Sequence, residues 1–364
     1  MSALKELYNE TFYKSISTVF AKHVPQFDQR KFLRLVLAPP FAELELKQRT
    51  THTAHTLHQF LSADFKQAAK QIVAIANTLK QEGPGRFEHI FLPEYLAIYG
   101  AQHPEVAVNA MEAVTQLISC EFAIRPFIIA QPEKMIKVMH AWTSHPSRHV
   151  RRLASEGSRP RLPWGMALPF LKKDPTPALP ILEALKNDSC EIVRRSVANH
   201  LNDISKDHPE VLLQVAAKWK GHSPETDAIL KHACRTLLKA SDVKALKLFG
   251  LAPDAAIVLS QFKVLTPQVK EGKTVDFSFV IHNTSSKKKT VRLEYAMYYL
   301  RANGSHSKKV FKISEREYAP NEKATIQRSQ SFRPITTRVY YKGVQRLSII
   351  VNGRESEANK FELH

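Results

Sequence analysis

The chain has 364 residues, with 53 lysines and arginines against 34 aspartates and glutamates, which gives a formal net charge of +19. A hydrophobic fraction of 43% excludes a disordered chain and is enough to form a buried core. The positive charge fits nucleic acid, an anionic membrane surface or an acidic partner, and it does not choose among them.

No feature of the sequence indicates a membrane protein or a secreted protein. No apolar run approaches the roughly 20 residues that span a bilayer, and the start "MSALKELYNETFYKSI" is amphipathic with acidic residues, unlike a signal peptide. Cys120, Cys190 and Cys234 are too few and too scattered for a disulfide framework or a zinc knuckle. We expect buried thiols in a cytoplasmic, nucleoid-associated protein without a membrane partner.

The first half of the chain has helical periodicity up to about residue 255. "HTAHTLH" spaces His52, His55 and His58 by three, but no carboxylate or cysteine stands beside them, so we expect a partly exposed helix and no metal or other cofactor. The next segment, "FKQAAKQIVAIANTL", predicts an amphipathic helix. Its apolar stripe consists of Phe65, Ala69, Ile72, Ala76 and Leu79.

Proline recurs where a helix is expected to begin. Its fixed φ and missing N–H suit the first helical position, and the glutamate that often follows complements the helix dipole. The segments are "HPEVAV", "QPEKMI", "HPSRHV", "HPEVLL" and "SPETDA", at Pro104, Pro132, Pro146, Pro209 and Pro224. Basic helices that start near Pro146, Ser189 and Pro224 are 43 and 35 residues apart. This spacing predicts an α-solenoid of HEAT-like repeats, whose concave face would wrap a partner.

Basic residues recur at similar places in these helices. They are Arg151 and Arg152, then Arg194 and Arg195, then Lys231 and Arg235. They could be ordinary solvated charges. Their repetition in register favours a continuous basic groove for a phosphate backbone.

Two acidic residues stand out from their surroundings. In "EVAVNAMEAVTQLISCEFAI", a continuous helix would align Glu121 with an apolar stripe, unless Glu121 lies at a frayed, solvated end. In "VRRSVANHLNDISKDHP", Asp203 lies at the edge of a narrow polar stripe. The stripe, which consists of Arg195, Asn199, Asn202 and Lys206, could be a ligand-binding surface or a plain solvent face.

Between these two segments lies "EGSRPRLPWG", from Glu156 to Gly165. Pro160, Pro163 and Gly165 break the helical pattern there. We therefore expect a proline-stiffened loop that displays Trp164 together with Arg159 and Arg161.

Beyond residue 255 the hydrophobic period changes to two. "VDFSFVI" alternates Val275, Phe277, Phe279 and Ile281, and "VRLEYAMYY" alternates Val291, Leu293, Tyr295, Met297 and Tyr299. About 105 residues of short alternating strands predict an immunoglobulin-like β-sandwich. The chain is thus expected to have an α domain at 1–255 and a β domain at 256–364. Basic turns of the β domain could close on a duplex opposite the solenoid or serve only solubility; they contain Lys287, Lys288, Lys289, Lys308 and Lys309.

The two long motifs together resemble the HEAT-like repeat DNA glycosylases of the AlkC/AlkD superfamily, which repair alkylated DNA. "EGSRPRLPWG" and "VRRSVANHLNDISKDHP" carry the resemblance, and "FAELELKQRTTHTAHTLHQFL" is a weaker match. The AlkC branch is the more similar, over roughly residues 1–250. Some AlkC relatives carry a C-terminal immunoglobulin-like domain, which fits the β half.

The resemblance implies roles for four residues. Asp203 matches the family's catalytic aspartate, and Trp164 matches an aromatic residue that lines the lesion site. Glu121 and Glu156 are similar to acids that the AlkC branch adds there. The implied activity is monofunctional excision of cationic alkylated bases from double-stranded DNA by a monomer. We expect the bases to be 3-methylcytosine and, as a further candidate, 1-methyladenine, whose damage hinders pairing, and 3-methyladenine, whose glycosidic bond is weak.

The chemistry of the residues agrees with this activity. Breaking an N-glycosidic bond leaves an oxocarbenium-like sugar, which a nearby carboxylate stabilises. The phosphates need cationic or hydrogen-bonding side chains, and the candidates are Arg152, Arg159, Arg161, Arg195, Asn199, Lys206, Lys231, Arg235 and Lys287 to Lys289. Two alternatives remain: a non-catalytic HEAT scaffold that binds nucleic acid or an acidic protein, and an RNA-binding module, although no RRM or KH signature occurs.

Overall fold

The computed structural model describes residues 4–335 and 338–364. Within these residues, sixteen α-helices precede nine β-strands. The helices are α1 (Glu10–His23), α2 (Gln29–Val36), α3 (Leu46–His58), α4 (Phe65–Glu82), α5 (Phe91–Tyr99), α6 (Pro104–Val114), α7 (Arg125–Ala130), α8 (Pro132–Trp142), α9 (Arg148–Gly157), α10 (Pro169–Lys173), α11 (Leu179–Leu185), α12 (Glu191–Ile204), α13 (Pro209–Trp219), α14 (Pro224–Ala233), α15 (Arg235–Lys239) and α16 (Val243–Leu248). No helix in the described residues is both long and apolar enough to cross a membrane.

The described chain divides into two compact units. The helical unit comprises residues 4–208 and 219–233, and the second unit comprises 209–218 and 234–364. The second unit therefore includes helices as well as strands. Within it, Gly353 lies directly against Leu246 of α16, because a Cβ built on this glycine would come within 2.3 Å of the Leu246 side chain. The domain boundary expected near residue 255 remains a proposal.

The helical unit is built from stacked helices. α3 packs on α5, α4 on α6, α9 on α12 and α12 on α14, so each helix contacts another that follows it two or three helices along the chain. This is the layered packing of a solenoid, and the HEAT-like fold predicted from the sequence is confirmed. Every member of the apolar stripe predicted for α4, from Phe65 to Leu79, is buried.

Proline marks helix starts at four of the five predicted places. Pro104, Pro132, Pro209 and Pro224 are the first residues of α6, α8, α13 and α14. The start predicted at Pro146 was wrong. There Ser147 is extended, with φ −76° and ψ 121°, and α9 begins one residue later.

The helix predicted to carry Glu121 was also wrong in length. α6 ends at Val114, and the backbone then turns: the amides of Leu117 and Ile118 both donate to the Val114 carbonyl. The Thr115 hydroxyl accepts from the Cys120 amide at 3.4 Å. Glu121 therefore lies in a turn between α6 and α7, where its carboxylate is not forced into an apolar core.

The strands form two sheets of a sandwich. They are β1 (Ile257–Val264), β2 (Gln268–Val269), β3 (Thr274–Asn283), β4 (Lys289–Leu300), β5 (His306–Tyr318), β6 (Lys323–Ser331), β7 (Gly343–Val351), β8 (Arg354–Glu355) and β9 (Asn359–Leu363). One sheet has the order β1-β3-β6 and the other the order β2-β9-β7-β4-β5, with β8 paired to β7. Pairing is antiparallel except between β2 and β9.

The core of the sandwich matches the alternation in the sequence. The predicted inward residues of β3 and β4 are all buried in one cluster, from Val275 to Ile281 and from Val291 to Tyr299. The other face of β4 is buried too, where Arg292 pairs with Glu294 at 2.6 Å and with Glu315 at 3.1 Å. The α-then-β fold with an immunoglobulin-like sandwich is therefore confirmed.

Candidate active site

The loop that follows α9 is held by a buried arginine, Arg125, at the start of α7. Arg125 has no solvent exposure. Its guanidinium donates to the carbonyl oxygens of Gly157 at 2.8 Å and Arg159 at 2.9 Å, and also to that of Met166. Burial, and next the like charge of Arg159, lowers the pKa of Arg125 to about 10. Sequence reasoning missed this residue, because nothing in "AIRPF" indicates which carbonyls it will meet.

Trp164 projects from this loop into solvent. Its side chain is 81% exposed, and its φ of +65° lies in the left-handed region that bulky residues rarely adopt. The turn is closed by the Gly165 amide, which donates to the Leu162 carbonyl at 3.1 Å, and by the Leu168 amide, which donates to Pro160 at 3.1 Å. An exposed indole on strained backbone is a common mark of a ligand-contacting position.

Asp203, near the end of α12, is only 2% exposed. Its two oxygens have different partners. Oδ2 accepts from Nε of Arg159 at 2.8 Å, and Oδ1 accepts from Nζ of Lys206 at 3.2 Å. The Lys206 side chain is 43% exposed, so Oδ1 is the oxygen that a single side-chain movement can uncover.

Glu156, in the last turn of α9, shares Arg159 with Asp203. Nη1 of Arg159 donates to Oε1 of Glu156 at 2.6 Å, and the Ser196 hydroxyl donates to Oε2 at 2.6 Å. Arg159 is 6% exposed. Burial alone lowers the pKa of Arg159, but the bond to Asp203 and the charge of Glu156 outweigh it and raise that pKa above its usual value. The guanidinium is thus a fixed cation between two acids.

Glu121 joins the same group from the turn after α6. Its Oε2 accepts from the Ser119 hydroxyl at 2.8 Å and from Nη1 of Arg152 at 2.7 Å. Nη2 of Arg152 lies 3.8 Å from Oε1 of Glu156. The structure therefore brings all three predicted acids together in one alternating row, Asp203–Arg159–Glu156–Arg152–Glu121, here called the acid–arginine row.

Most other cations predicted to meet DNA are on the surface. Arg161 pairs with Asp207 at 2.5 Å, and Arg195 pairs within α12 with Glu191 at 2.6 Å. Lys231 is exposed in α14. Nε2 of His232 lies 3.0 Å from Oδ1 of Asn199. Arg235 is the first residue of α15.

The paired arginines of the repeats do not share one direction. Arg151 bonds to the Asp188 carboxylate, with Nε at 2.6 Å, and Arg194 donates to the Asp188 carbonyl at 2.7 Å. Both therefore brace the loop before α12. Arg152, Arg195, Lys231 and Arg235 stay predicted members of the basic groove.

In the β domain the candidate lysines differ in their exposure and in their ion pairs. Lys287 and Lys288 are exposed in the turn before β4, and Nζ of Lys288 lies 3.9 Å from Glu317. Lys289 is half-buried and pairs with Asp254 at 2.6 Å.

The histidines of "HTAHTLH" make separate contacts. His52 meets the Val36 carbonyl at 3.0 Å, and His55 meets the Tyr99 hydroxyl at 2.7 Å. His58 stacks on Tyr99 with ring centroids 3.7 Å apart. Among the described residues no group of three or more His, Cys, Asp or Glu side chains is arranged to hold a metal ion.

Comparison with known proteins extends these observations. A family model described as "Uncharacterised protein YhaZ, C-terminal Ig-like domain" matches residues 258–364. The chain is 42% identical, over 365 residues and the whole of both chains, to the "Uncharacterized protein YhaZ" of Bacillus subtilis (strain 168). It is 36% identical to the Pseudomonas fluorescens alkylpurine DNA glycosylase AlkC, solved bound to DNA containing an abasic site analog. That match has a TM-score of 0.94 and covers 100% of both chains.

Proposed function

Because the chain belongs to the AlkC family of DNA glycosylases, we propose that it excises cationic alkylated bases from double-stranded DNA. The observation that carries this proposal is the position of Asp203, fixed by a buried arginine through one oxygen and capped by a half-exposed lysine on the other. The product would be an abasic site, which initiates base excision repair.

The proposed reaction needs only a carboxylate and water. The bond between C1′ and the base nitrogen breaks, and its electron pair neutralises the positive charge of the alkylated base. The positive charge moves to the sugar, where Oδ1 of Asp203 stabilises it. Water then adds to C1′ and gives up a proton. No step uses an amine nucleophile, so the activity is monofunctional.

Lys206 couples this chemistry to DNA binding. The Lys206 ammonium cannot make full ion pairs with a DNA phosphate and with Asp203 at the same time. A phosphate within reach therefore draws the ammonium away from Oδ1 of Asp203. Asp203 then faces the sugar while Arg159 still holds Oδ2. Arg159, expected from the sequence to meet phosphate, is buried and occupied by two acids, and we assign it the role of positioning Asp203 and Glu156.

The remaining members of the site act on the base. Glu156 and Glu121 place negative charge near it, and the exposed face of Trp164 offers a cation–π contact worth about 0.5–2 kcal/mol. We propose 3-methylcytosine and 3-methyladenine as the best substrates, with 1-methyladenine as a further one. Damage on the pairing edge, as in 3-methylcytosine and 1-methyladenine, weakens the duplex and lowers the cost of opening it. 3-Methyladenine is included because its glycosidic bond is intrinsically weak. 7-Methylguanine still pairs and should be poor.

The test is base release from matched duplexes that each carry one alkylated base, with the products identified by mass. Asp203→Asn should lower the single-turnover excision rate about 10²-fold or more, because charge is lost while shape is kept. Affinity for undamaged DNA should stay level or rise slightly. Asp64→Asn is the matched control, since Asp64 is an exposed helix cap that asparagine can replace. Near-normal excision by Asp203→Asn would refute the assignment.

A further inference from the structure

The backbone of Arg125 is tied to the turn that carries Glu121. The Ile124 amide donates to the Cys120 carbonyl at 3.0 Å, and the Arg125 amide donates to the Phe122 carbonyl at 3.3 Å. These bonds set the place of Arg125 at the start of α7 relative to the turn that holds Glu121.

The guanidinium of Arg125 holds backbone that carries two further members of the acid–arginine row. Nη1 donates to the carbonyl of Gly157, the residue after Glu156, at 2.8 Å, and Nη2 donates to the Arg159 carbonyl at 2.9 Å. The Arg159 side chain in turn bonds both Glu156 and Asp203. A shift of this backbone would therefore move the Arg159 guanidinium and change the spacing of the two carboxylates.

The same guanidinium fastens the loop after α9 at its far end. Nε of Arg125 donates to the carbonyl of Met166, two residues beyond Trp164. Gly165 packs on the Arg125 side chain, because a Cβ built on this glycine would lie 3.4 Å from Cδ. Arg125 has no solvent exposure, so these hydrogen bonds lie in a low-dielectric interior where they are strong. One side chain thus closes the loop between Gly157 and Met166 that displays Trp164.

A second buried arginine of the helical unit has the same kind of partners in a different place. Arg49, on α3, is 4% exposed. It donates to the backbone carbonyls of Lys5, Tyr8, Ala42 and Leu44. These partners lie before α1 and before α3, away from the acid–arginine row in the chain. Arg49 and Arg125 therefore match in burial and in bonding to backbone, and of the two it is Arg125 that bonds the segments carrying site residues.

We propose that Arg125 is a positioning residue for base excision, which holds the acid–arginine row and Trp164 in place without contacting DNA. The proposal rests on the proposed function for the reaction that Arg125 serves. The row stabilises charge that develops as the glycosidic bond breaks, so a displaced row slows bond breakage more than it weakens DNA binding. A displacement of about 1 Å can lower a rate about 10²-fold.

Arg125→Lys tests position separately from charge. Lysine keeps the positive charge, but its single ammonium cannot reproduce the planar fork that reaches three carbonyl oxygens. With DNA carrying an alkylated base that the parent excises, the single-turnover rate should fall about tenfold, and Kd for that DNA should stay within about twofold of the parent. Arg125→Ala, which removes the charge and every donor of the side chain, should lower the rate about 10²-fold.

Arg49→Lys is the matched control, because it makes the same substitution at a buried arginine that bonds backbone elsewhere in the helical unit. Both variants should lose unfolding free energy, but Arg49→Lys should keep the excision rate within about twofold of the parent. An equal loss of rate in the two lysine variants would show structural damage alone and overturn the proposal. A parent-like rate in Arg125→Lys, with or without a weaker Kd, contradicts it as well. This comparison holds even if Arg125→Ala misfolds.

The order of the Trp164 loop gives a readout that needs no excision. The chain has three tryptophans, and the other two, Trp142 and Trp219, are buried. The Trp164 signal is the difference between each protein and the same protein with Trp164→Phe. Its fluorescence anisotropy should fall in Arg125→Lys, where the loop is released, and keep the parent value in Arg49→Lys. Unchanged anisotropy in Arg125→Lys would refute the proposal. If the anisotropy falls as expected but the parent excises nothing, the proposed function fails while Arg125 still holds the loop.

Discussion

Arg159 donates from Nε to Asp203 and from Nη1 to Glu156, so one side chain sets the distance between two acids on different helices. Arg159→Gln should lower the single-turnover excision rate about 10²-fold. Arg159→Lys should recover part of it, because lysine keeps the charge but not the fork of donors.

The same two variants separate positioning from phosphate binding. Affinity for undamaged DNA and its salt dependence should match the parent in both, since the guanidinium is buried. A phosphate contact predicts a slope of log K against log salt that is shallower by about 0.9 in Arg159→Gln. A shallower slope together with a nearly unchanged excision rate would show that Arg159 contacts a phosphate, as expected from the sequence.

For single residues, the sequence predicted which kinds of side chain form the candidate site better than it predicted what those side chains contact. The motifs around Asp203 and Glu156 selected two acids that the structure joins through Arg159, and the role of Trp164 stays a prediction. They could not reveal that Arg159 faces inward, because a loop arginine between prolines has the same sequence pattern whether it meets solvent or two carboxylates. Arg125 left no local signal, since its partners are backbone carbonyls more than 30 residues away along the chain.

The contact of α9 with α12 contains a buried histidine that makes stability depend on pH. His200 is fully buried; one ring nitrogen meets the Ser155 carbonyl at 3.0 Å, and Nε2 has no hydrogen-bond partner among the described residues. Burial lowers the pKa of His200 from 6.5 to about 3. Below pH 6.5 His200 is therefore protonated in the unfolded chain but stays neutral in the folded protein, so the free energy of unfolding falls as the pH drops toward 3.

The expected slope is about 1.4 kcal/mol of unfolding free energy per pH unit for this one group. His200→Asn, which keeps a donor near Nδ1, should remove that part of the slope between pH 6 and 4.5 in urea unfolding. His89, whose pKa burial lowers to about 4, leaves a remainder of the same sign. The exposed His222→Asn variant is the control. An identical slope in His200→Asn and the parent contradicts the prediction.

Elements were predictable where local chemistry decides them. Proline and its following residues located four helix starts, and strict alternation located the buried faces of β3 and β4. The helix expected through Glu121 failed because periodicity continues past Val114 while the backbone turns there, with the Thr115 side chain accepting a backbone amide. A side-chain bond of this kind leaves no trace in hydrophobic spacing.

For the whole molecule, the change from period 3.6 to period 2 revealed the α and β parts. It could not assign the helices near the junction to a unit. α16 looks like any other amphipathic helix in the sequence, yet Leu246 packs against the β7–β8 turn at Gly353. Which surface such a helix covers depends on tertiary contacts and not on its period.

The excess of positive charge predicts that DNA affinity falls steeply with salt. Lysine variants in the β domain can show whether this depends on where the positive charges lie or only on the total charge. Lys287 and Lys288 are exposed neighbours in one turn. Replacing both with glutamine should make the slope of log K against log salt shallower by about 0.9 for each phosphate that the variant no longer neutralises.

The matched control replaces Lys14 and Lys22, which are exposed on α1 and paired with Glu10 and Glu82. Both double variants lower the net charge by the same amount, so total charge alone predicts equal slopes. Direct binding of phosphates by the β domain predicts that only the Lys287 and Lys288 variant departs from the parent. Unchanged affinity and slope in that variant would exclude this turn from the DNA-binding surface.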